Sequence, residues 1–120
     1  MDSGGLIAYE RRDERAWAAI QSVRDRGRTV VIPAGVLAQA WRDGARQALL
    51  SALLKASDVR VESLSEPMAK AAGELCRLTG TADVIDASVV VTARRMGGTV
   101  LTSDPGDLAR LDPGLRLIPV

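Results

Sequence analysis

The stretch "TADVIDASVVVTARRMGGTVLTSDPGDL" (81–108) holds the pattern that decides the fold. Its first part predicts a helix over 81–98 despite the valines, since Thr81 or Asp83 can cap its start and two arginines suit its negative C-terminal end. The apolar run "TVLTS" (99–103) then predicts a strand, and "PGDLARL" predicts a short helix. Helix, strand and helix in succession are typical of an α/β domain.

The same alternation runs outward from this stretch to both ends of the chain. "TVVIPAGV" (29–36) begins as a β-branched run that Pro33 stops, and "VRVESL" (59–64) alternates as a short strand does. The last residues, "LRLIPV", are again apolar. Helices are predicted over 6–27, 34–44, 45–57 and 65–80. We therefore expect a single α/β domain over 1–120, with a mainly parallel sheet and helices on both faces.

The composition predicts an aliphatic core. Hydrophobic residues make up 47% of the 120 residues, but Phe is absent and aromatic residues are only 2%. Val, Leu, Ile and Ala must therefore supply most of the core, with Trp17 and Trp41 as its bulky members. The only cysteine, Cys76, lies at core spacing in a helix and is expected to pack rather than react.

The missing histidines narrow the possible chemistry. The chain has no His and one Cys, which excludes Ser-His and Cys-His nucleophile pairs, His-containing metal sites and Cys-rich zinc sites. A net charge of +1 gives no global field that would mark a nucleic-acid binder. No leader and no apolar run of membrane-spanning length is present, so we expect a cytoplasmic protein without a membrane segment. Catalysis would have to come from carboxylates, a metal or hydroxyls.

Acidic residues recur where the strands of a parallel sheet end, which is where open α/β sheets bind ligands. Asp104 follows the strand predicted over 99–103, and Asp86 lies near the start of the helix that precedes this strand. Asp2 would follow a first strand if the chain has one at its start. Asp83 and Asp107 are further candidates, although helix capping or a turn explains each of them alone. Because converging carboxylates repel, a divalent cation with hard oxygen ligands, Mg²⁺ or Mn²⁺, would stabilise such a cluster.

Four fragments together resemble a known family. "MDSGGLIA", "VVIPAGVLAQAWR", "TADVIDASVVVTA" and "VLTSDPGDL" occur in the order found in the PIN domain, and specifically in the VapC-type toxin ribonucleases of bacterial toxin-antitoxin pairs. This resemblance implies a three-layer α/β/α sandwich with Mg²⁺-dependent endoribonuclease activity. It also implies a homodimer, an RNA substrate and a VapB-type antitoxin as partner.

The resemblance also assigns roles to individual residues. Asp2, Asp86 and Asp104 would match the acidic residues that hold the metal, and Thr102 and Ser103 of "TSD" would support them. Apart from the resemblance, four arginines are candidates for contact with RNA phosphates or a partner, although a solvated surface is the simpler explanation for each. They are Arg11, Arg12, Arg94 and Arg95.

Two departures from the family pattern affect the predicted function. Gln39 stands where the family usually has Glu, three residues before Arg42, and an amide loses the charge and cannot act as a base. Only Met1 precedes Asp2, whereas family members usually carry four or five apolar residues there as a central strand. We expect either that a few upstream residues belong to the native protein or that this strand is vestigial.

Three functions are compatible with these residues. The first is the metal-dependent RNA-cleaving toxin. The second is a catalytically weakened PIN-fold module that binds RNA or antitoxin. The reason for this alternative is Gln39, which stands in place of the usual Glu. The third is a phosphorylatable receiver domain, which also clusters Asp in a parallel sheet, but neither Lys55 nor Lys70 follows a strand as that site requires.

Overall fold

The computed structural model describes residues 1–120 and contains seven helices and four strands. The helices are α1 (Ser3–Glu10), α2 (Glu14–Asp25), α3 (Ala34–Ala40), α4 (Ala48–Lys55), α5 (Glu66–Thr79), α6 (Val84–Met96) and α7 (Pro105–Leu111). The strands are β1 (Val30–Pro33), β2 (Val59–Glu62), β3 (Val100–Thr102) and β4 (Leu117–Pro119). None of the helices combines the length and the apolar character that a bilayer span requires.

The predicted signals at helix ends are found in the structure. The Ser65 hydroxyl accepts the Met68 N–H at the start of α5, and Gly80 ends that helix in the left-handed region with a φ of 73°. Of the two predicted caps of α6, Thr81 and Asp83, the structure uses Asp83, which accepts the Asp86 N–H at 3.0 Å and starts the helix at Val84. These ends follow local side-chain chemistry, which explains why the sequence predicts them closely.

The predicted α/β fold class is confirmed: the chain is a mixed α/β domain consistent with a PIN-like α/β/α sandwich. Every strand pairing is parallel, as expected, but the sheet is divided into two pairs. β1 pairs with β2, with Val30 opposite Val59, and β3 pairs with β4, with Val100 opposite Leu117. No strand lies between β1 and β3.

The single helix predicted over 6–27 is wrong, because the chain breaks it into α1 and α2. Arg12 has a φ of 60°, in the left-handed region, and the Asp13 carboxylate then accepts the N–H groups of Arg15 and Ala16, each at 3.0 Å. A new N-terminal cap therefore starts a second helix in the middle of a continuous helical composition.

The helix predicted over 34–44 is also too long, since α3 ends at Ala40. The Gln47 side-chain oxygen accepts the N–H groups of Arg42 at 2.7 Å and of Asp43 at 2.9 Å, which holds residues 41–47 in a turn. The helix predicted over 45–57 accordingly begins later, at Ala48.

The core is aliphatic as predicted, but neither tryptophan belongs to it. Trp17 and Trp41 are 36% and 38% exposed, whereas Leu6, Ile32 and Leu50 are fully buried. Trp17 instead stacks on Tyr9 at 4.9 Å between ring centroids and donates its indole N–H to the Tyr9 carbonyl. This half-exposed position lets the indole keep a hydrogen bond that an aliphatic core would not offer. Cys76 is buried, as expected.

Candidate functional site

Asp2 is buried at the point where α1 begins beside β3. Its Oδ1 accepts the Gly5 N–H at 2.8 Å, so the carboxylate caps α1, and its Oδ2 accepts the Thr102 hydroxyl. Its own N–H donates to the Leu101 carbonyl at 3.1 Å. Only 5% of Asp2 is exposed. Because both of its carboxylate oxygens accept hydrogen bonds, the free-energy cost of burying this side chain is offset.

Thr102 connects Asp2 to Asp104. The Thr102 side chain is fully buried, donates its hydroxyl proton to Asp2 and accepts the Asp104 N–H at 2.9 Å. Asp104 is exposed, and its Oδ1 accepts the Asp107 N–H at 3.3 Å at the start of α7. One hydroxyl thus couples the buried carboxylate to the backbone that presents the exposed one.

We expect Thr102→Val to destabilise the protein by about 1–2 kcal/mol, because it removes the donor to Asp2 and the acceptor for the Asp104 N–H at nearly constant volume. Urea unfolding at pH 7 would measure the loss. Thr102→Ser, which keeps the hydroxyl, is the control and should recover most of it. Equal stability of the Val variant and the parent would show that this hydroxyl contributes nothing.

Two glycines let α1 approach β3 closely enough to place Asp2. A Cβ on Gly5 would overlap the Leu101 carbonyl oxygen and lie 3.0 Å from its carbonyl carbon. A Cβ on Gly4 would overlap the Ser103 hydroxyl oxygen and lie 2.9 Å from Ser103 Cβ. The two glycines after Asp2 are thus required by the close approach of α1 to β3 and to Ser103, the residue that follows this strand.

Asp86 occupies a strongly negative, partly buried position in the first turn of α6. Burial raises the pKa of its carboxyl from 3.8 to about 6, with further contributions from Asp83, Asp2 and Asp107 in that order. The pKa of Asp107 is also raised, chiefly by its hydrogen bond and charge interaction with Asp104. All five predicted acidic residues therefore belong to one negatively charged region.

A cleft of about 320 Å³ opens between α5, α6 and α7 in this region. Three of the predicted acidic residues line it: Asp83, Asp86 and Asp107. The remaining lining residues are Thr79, Gly80, Thr81, Arg110 and Leu111. Arg110, whose guanidinium lies 3.2 Å from the Asp107 carboxylate, was missed by the sequence reasoning. The spacing of three residues in a predicted helix could have indicated that Arg110 lies beside Asp107.

The donor chemistry of this region suits a hard divalent cation. Every acidic side chain offers carboxylate oxygen, and Asp86 lies among like charges without a basic partner in an ion pair. The side chains do not converge in this structure, since no three of them stand close enough together to hold one metal ion. Asp2, Asp83 and Asp104 instead cap the starts of helices, each accepting a backbone N–H.

Gln39 lies beside the start of α1. The Ser3 hydroxyl donates to the Gln39 side-chain oxygen, which brings the end of α3 next to the residue that follows Asp2. Ser3 was not among the predicted site residues. Arg42, in the turn after α3, points back toward that helix and donates to the carbonyls of Ala38 at 3.1 Å and Trp41 at 2.6 Å, so its guanidinium is engaged at the end of α3.

The other four predicted arginines lie outside the acidic region. Arg11 and Arg12 are exposed in the turn after α1 and form no ion pair. Arg94 pairs with Asp112 at 2.8 Å, and Arg95 lies 3.9 Å from Glu62. Both are in the last turn of α6, about 12 Å along the helix from Asp86.

Comparison with known proteins adds a family match. Residues 2–112 match the family described as PIN domain, a span that includes every candidate site residue discussed above. No curated protein matches the chain.

Proposed function

The chain belongs to the PIN domain family, a nuclease-type fold whose members generally depend on a divalent metal, and from this we propose that it is a Mg²⁺-dependent endoribonuclease. Mn²⁺ is the alternative ion. We further propose that it is the toxin of a type II pair, resembling VapC-type ribonucleases, and that it acts in the cytoplasm.

The observation that carries this proposal is the concentration of negative charge around Asp86. Burial and three neighbouring carboxylates hold the pKa of this group at about 6, and no cation of the chain offsets that field at Asp86. A bound cation would relieve this repulsion, and a carboxylate of raised pKa in a cleft is typical of functional sites. We propose Asp2, Asp86 and Asp104 as ligands, with Asp83 and Asp107 as further oxygen donors.

The bound ion would supply a water of lowered pKa and neutralise charge on the scissile phosphate. The chain's own groups have separate tasks. Thr102 and the Gly5 N–H hold the Asp2 carboxylate in one orientation. Arg110 lies on the edge of the acidic cleft and is the guanidinium best placed to meet an RNA phosphate there.

The partners follow from the same proposal. We propose a VapB-type antitoxin, an RNA substrate and a second copy of the chain. Leu78 and Val84, which are 72% and 53% exposed, flank the cleft-lining residues 79–81 and 83 in sequence and offer apolar contact beside the acidic cleft.

Cleavage of a mixed RNA pool tests the function. We expect cleavage with Mg²⁺, none with EDTA, and at least a tenfold lower rate for Asp104→Asn, by analogy with the loss of other charge-stabilising groups at active sites. Asp25→Asn, at an exposed carboxylate that accepts a hydrogen bond from Gln21, is the matched control. Activity that survives both EDTA and Asp104→Asn would contradict the proposed site.

Gln39 supports a second candidate, an RNA- or antitoxin-binding module with weakened catalysis. We expect Gln39→Glu to tighten Mg²⁺ binding or raise cleavage by on the order of tenfold, because it adds a carboxylate next to Ser3 at the start of α1. Isothermal titration and a cleavage assay would measure both effects. Ala52→Glu, at an exposed position on α4, controls for added charge. If Gln39→Glu changes neither Mg²⁺ binding nor cleavage, position 39 does not belong to the site.

A further inference from the structure

Two of the chain's three aromatic residues meet at the surface, where α1 ends and α2 begins. The sequence has two Trp, one Tyr and no Phe. The rings of Tyr9 and Trp17 are nearly parallel, with an interplanar angle of 12° and 4.9 Å between their centroids. Tyr9 is 5% exposed, whereas Trp17 is 36% exposed. One face of the indole therefore covers the tyrosine ring, and water reaches Trp17 on the side away from Tyr9.

Trp17 is fixed in this position although it lies outside the aliphatic core. Its indole N–H donates to the Tyr9 carbonyl at 3.1 Å, and the Tyr9 ring supports it from behind. The preceding residue of α2, Ala16, is fully buried and anchors this end of the helix. Because the indole is already held in one orientation, it loses little conformational freedom when a ligand stacks on it. Its exposed side suits a flat, apolar ligand surface.

Three arginines lie between the two aromatic residues in the sequence. Arg11, Arg12 and Arg15 are all exposed, and none of them forms an ion pair. A guanidinium group without a carboxylate partner is free to make the paired hydrogen bonds that phosphate oxygens accept. Together with Tyr9 and Trp17, these arginines form one aromatic-basic surface.

Most of the acidic residues in the same segment are engaged within the protein. The half-buried Glu10 carboxylate accepts the Gln47 side-chain amide at 3.1 and 3.2 Å. The half-buried Asp13 carboxylate accepts two backbone N–H groups as the cap of α2. Glu14 is the one exposed carboxylate between the aromatic residues. Three outward guanidinium groups therefore face one outward carboxylate, and this excess of positive charge attracts phosphate.

The backbone at Arg12 is strained in a way that a different residue would avoid. Arg12 has a φ of 60°, in the left-handed region that glycine adopts at much lower cost than a residue with a Cβ. Its N–H donates at 3.0 Å to the Tyr9 carbonyl, the same oxygen that accepts the Trp17 indole N–H. The strained turn is thus tied to the aromatic pair. Strain of this kind is typical of functional sites, where the side chain offsets its cost.

We propose that the aromatic-basic surface binds single-stranded RNA, with an unpaired base stacked on the exposed side of Trp17 and the guanidinium groups on the adjacent phosphates. The identity of the ligand rests on the proposed function. Tyr9 lies about 10 Å along α1 from Asp2, a distance that roughly three stacked bases span at 3.4 Å each. A strand held at this surface can therefore continue to the acidic region.

Fluorescence titration with a short oligoadenylate in EDTA tests this surface without metal and without cleavage. In a Trp41→Phe protein, Trp17 is the one remaining tryptophan, and we expect bound RNA to quench its emission. In a Trp17→Phe protein, the emission of Trp41 should change little. We expect Trp17→Leu to raise the Kd roughly 5- to 100-fold, the effect of losing one stacked base. Trp17→Phe should cost less, because a phenyl ring still stacks.

Arg12→Gly separates a functional arginine from a structural one. We expect it to raise Tm by a few degrees, because glycine relieves the left-handed strain, and to raise the Kd for RNA several-fold. A merely structural residue would not move stability and binding in opposite senses. Combined with Arg11→Ala, the change should reduce the slope of log affinity against log salt by about 1.4, or about 0.7 for each phosphate contact. Arg26→Ala, at an exposed arginine beyond the far end of α2, is the control.

Unchanged Trp17 emission on addition of RNA, or an unchanged Kd for a folded Trp17→Leu protein, would overturn the proposal. Equal quenching by a polyglutamate peptide of the same charge would also overturn it, since the surface would then recognise an acidic protein segment rather than a base. The proposed nuclease function fails separately. RNA that quenches Trp17 in EDTA but is not cleaved with Mg²⁺ contradicts the nuclease alone, whereas cleavage with no effect of Trp17→Leu on the Kd contradicts this surface alone.

Discussion

Asp86→Asn is expected to lower metal-dependent RNA cleavage by about 10²–10³-fold, the range seen when one group that stabilises charge at an active site is removed. The same substitution is expected to stabilise the fold at pH 7. Asp86 is held at a pKa of about 6 by burial and by neighbouring carboxylates, so its ionised form opposes folding. Loss of activity with a gain in stability separates a functional carboxylate from a structural one.

The size and pH dependence of the stability gain follow from that pKa. A rise from 3.8 to about 6 corresponds to roughly 3 kcal/mol in full. Solvent screening of this partly exposed group reduces it to roughly 1–2 kcal/mol. Between about pH 4 and pH 6 the folded state binds more protons than the unfolded state, so the parent gains stability as pH falls through this window. The advantage of the Asn variant is therefore largest above pH 6 and disappears near pH 4.

Urea unfolding of both proteins at pH 4, 5, 6 and 7, combined with the cleavage assay, measures these effects. Asp25→Asn is the control, because it removes an exposed carboxylate on α2 away from the cleft. Mg²⁺ should raise Tm of the parent more than that of the Asn variant. A variant that is less stable than the parent at pH 7, or that cleaves RNA at the parent rate, would contradict this assignment.

The parts of the fold that the sequence predicts well are those decided within a few residues. Ser65, Gly80 and Asp83 act through their nearest backbone groups, so the ends of α5 and the start of α6 follow from local chemistry. The acidic region was also predictable in part. Residues that follow parallel strands share one edge of the sheet, and this groups Asp2 with Asp104 before any coordinates are known.

The parts that the sequence does not predict depend on distant contacts. The division of the sheet cannot be read from the patterns of the four strands, because each strand looks the same whether or not a neighbour lies beside it; only the resemblance, which places a central strand before Asp2, pointed to it. Trp17 was assigned to the core on size, but its indole finds a carbonyl acceptor at Tyr9 near the surface. Arg110 carries no motif of its own, and only the packing of α5, α6 and α7 shows that it borders the acidic cleft.

Gly5→Ala is expected to destabilise the protein by roughly 2–3 kcal/mol and to lower Tm by roughly 10 °C. In most helices this change stabilises, since Ala has the better helix propensity. At Gly5 the new methyl would meet the Leu101 carbonyl, a backbone group of β3 that cannot rotate away. The start of α1 must then move off β3, weakening the bond from the Asp2 N–H to Leu101.

Two comparisons show whether backbone overlap causes the loss. Gly73→Ala, in α5 with no atom near the new methyl, should stabilise by about 0.5–1 kcal/mol. Gly4→Ala should destabilise through the Ser103 side chain and should be rescued by Ser103→Gly, whereas Leu101→Gly cannot rescue Gly5→Ala because the carbonyl remains. Thermal unfolding of the set measures these differences. A Gly5→Ala protein as stable as Gly73→Ala would mean that α1 does not need its close approach to β3, and that Asp2 is held by its hydrogen bonds alone.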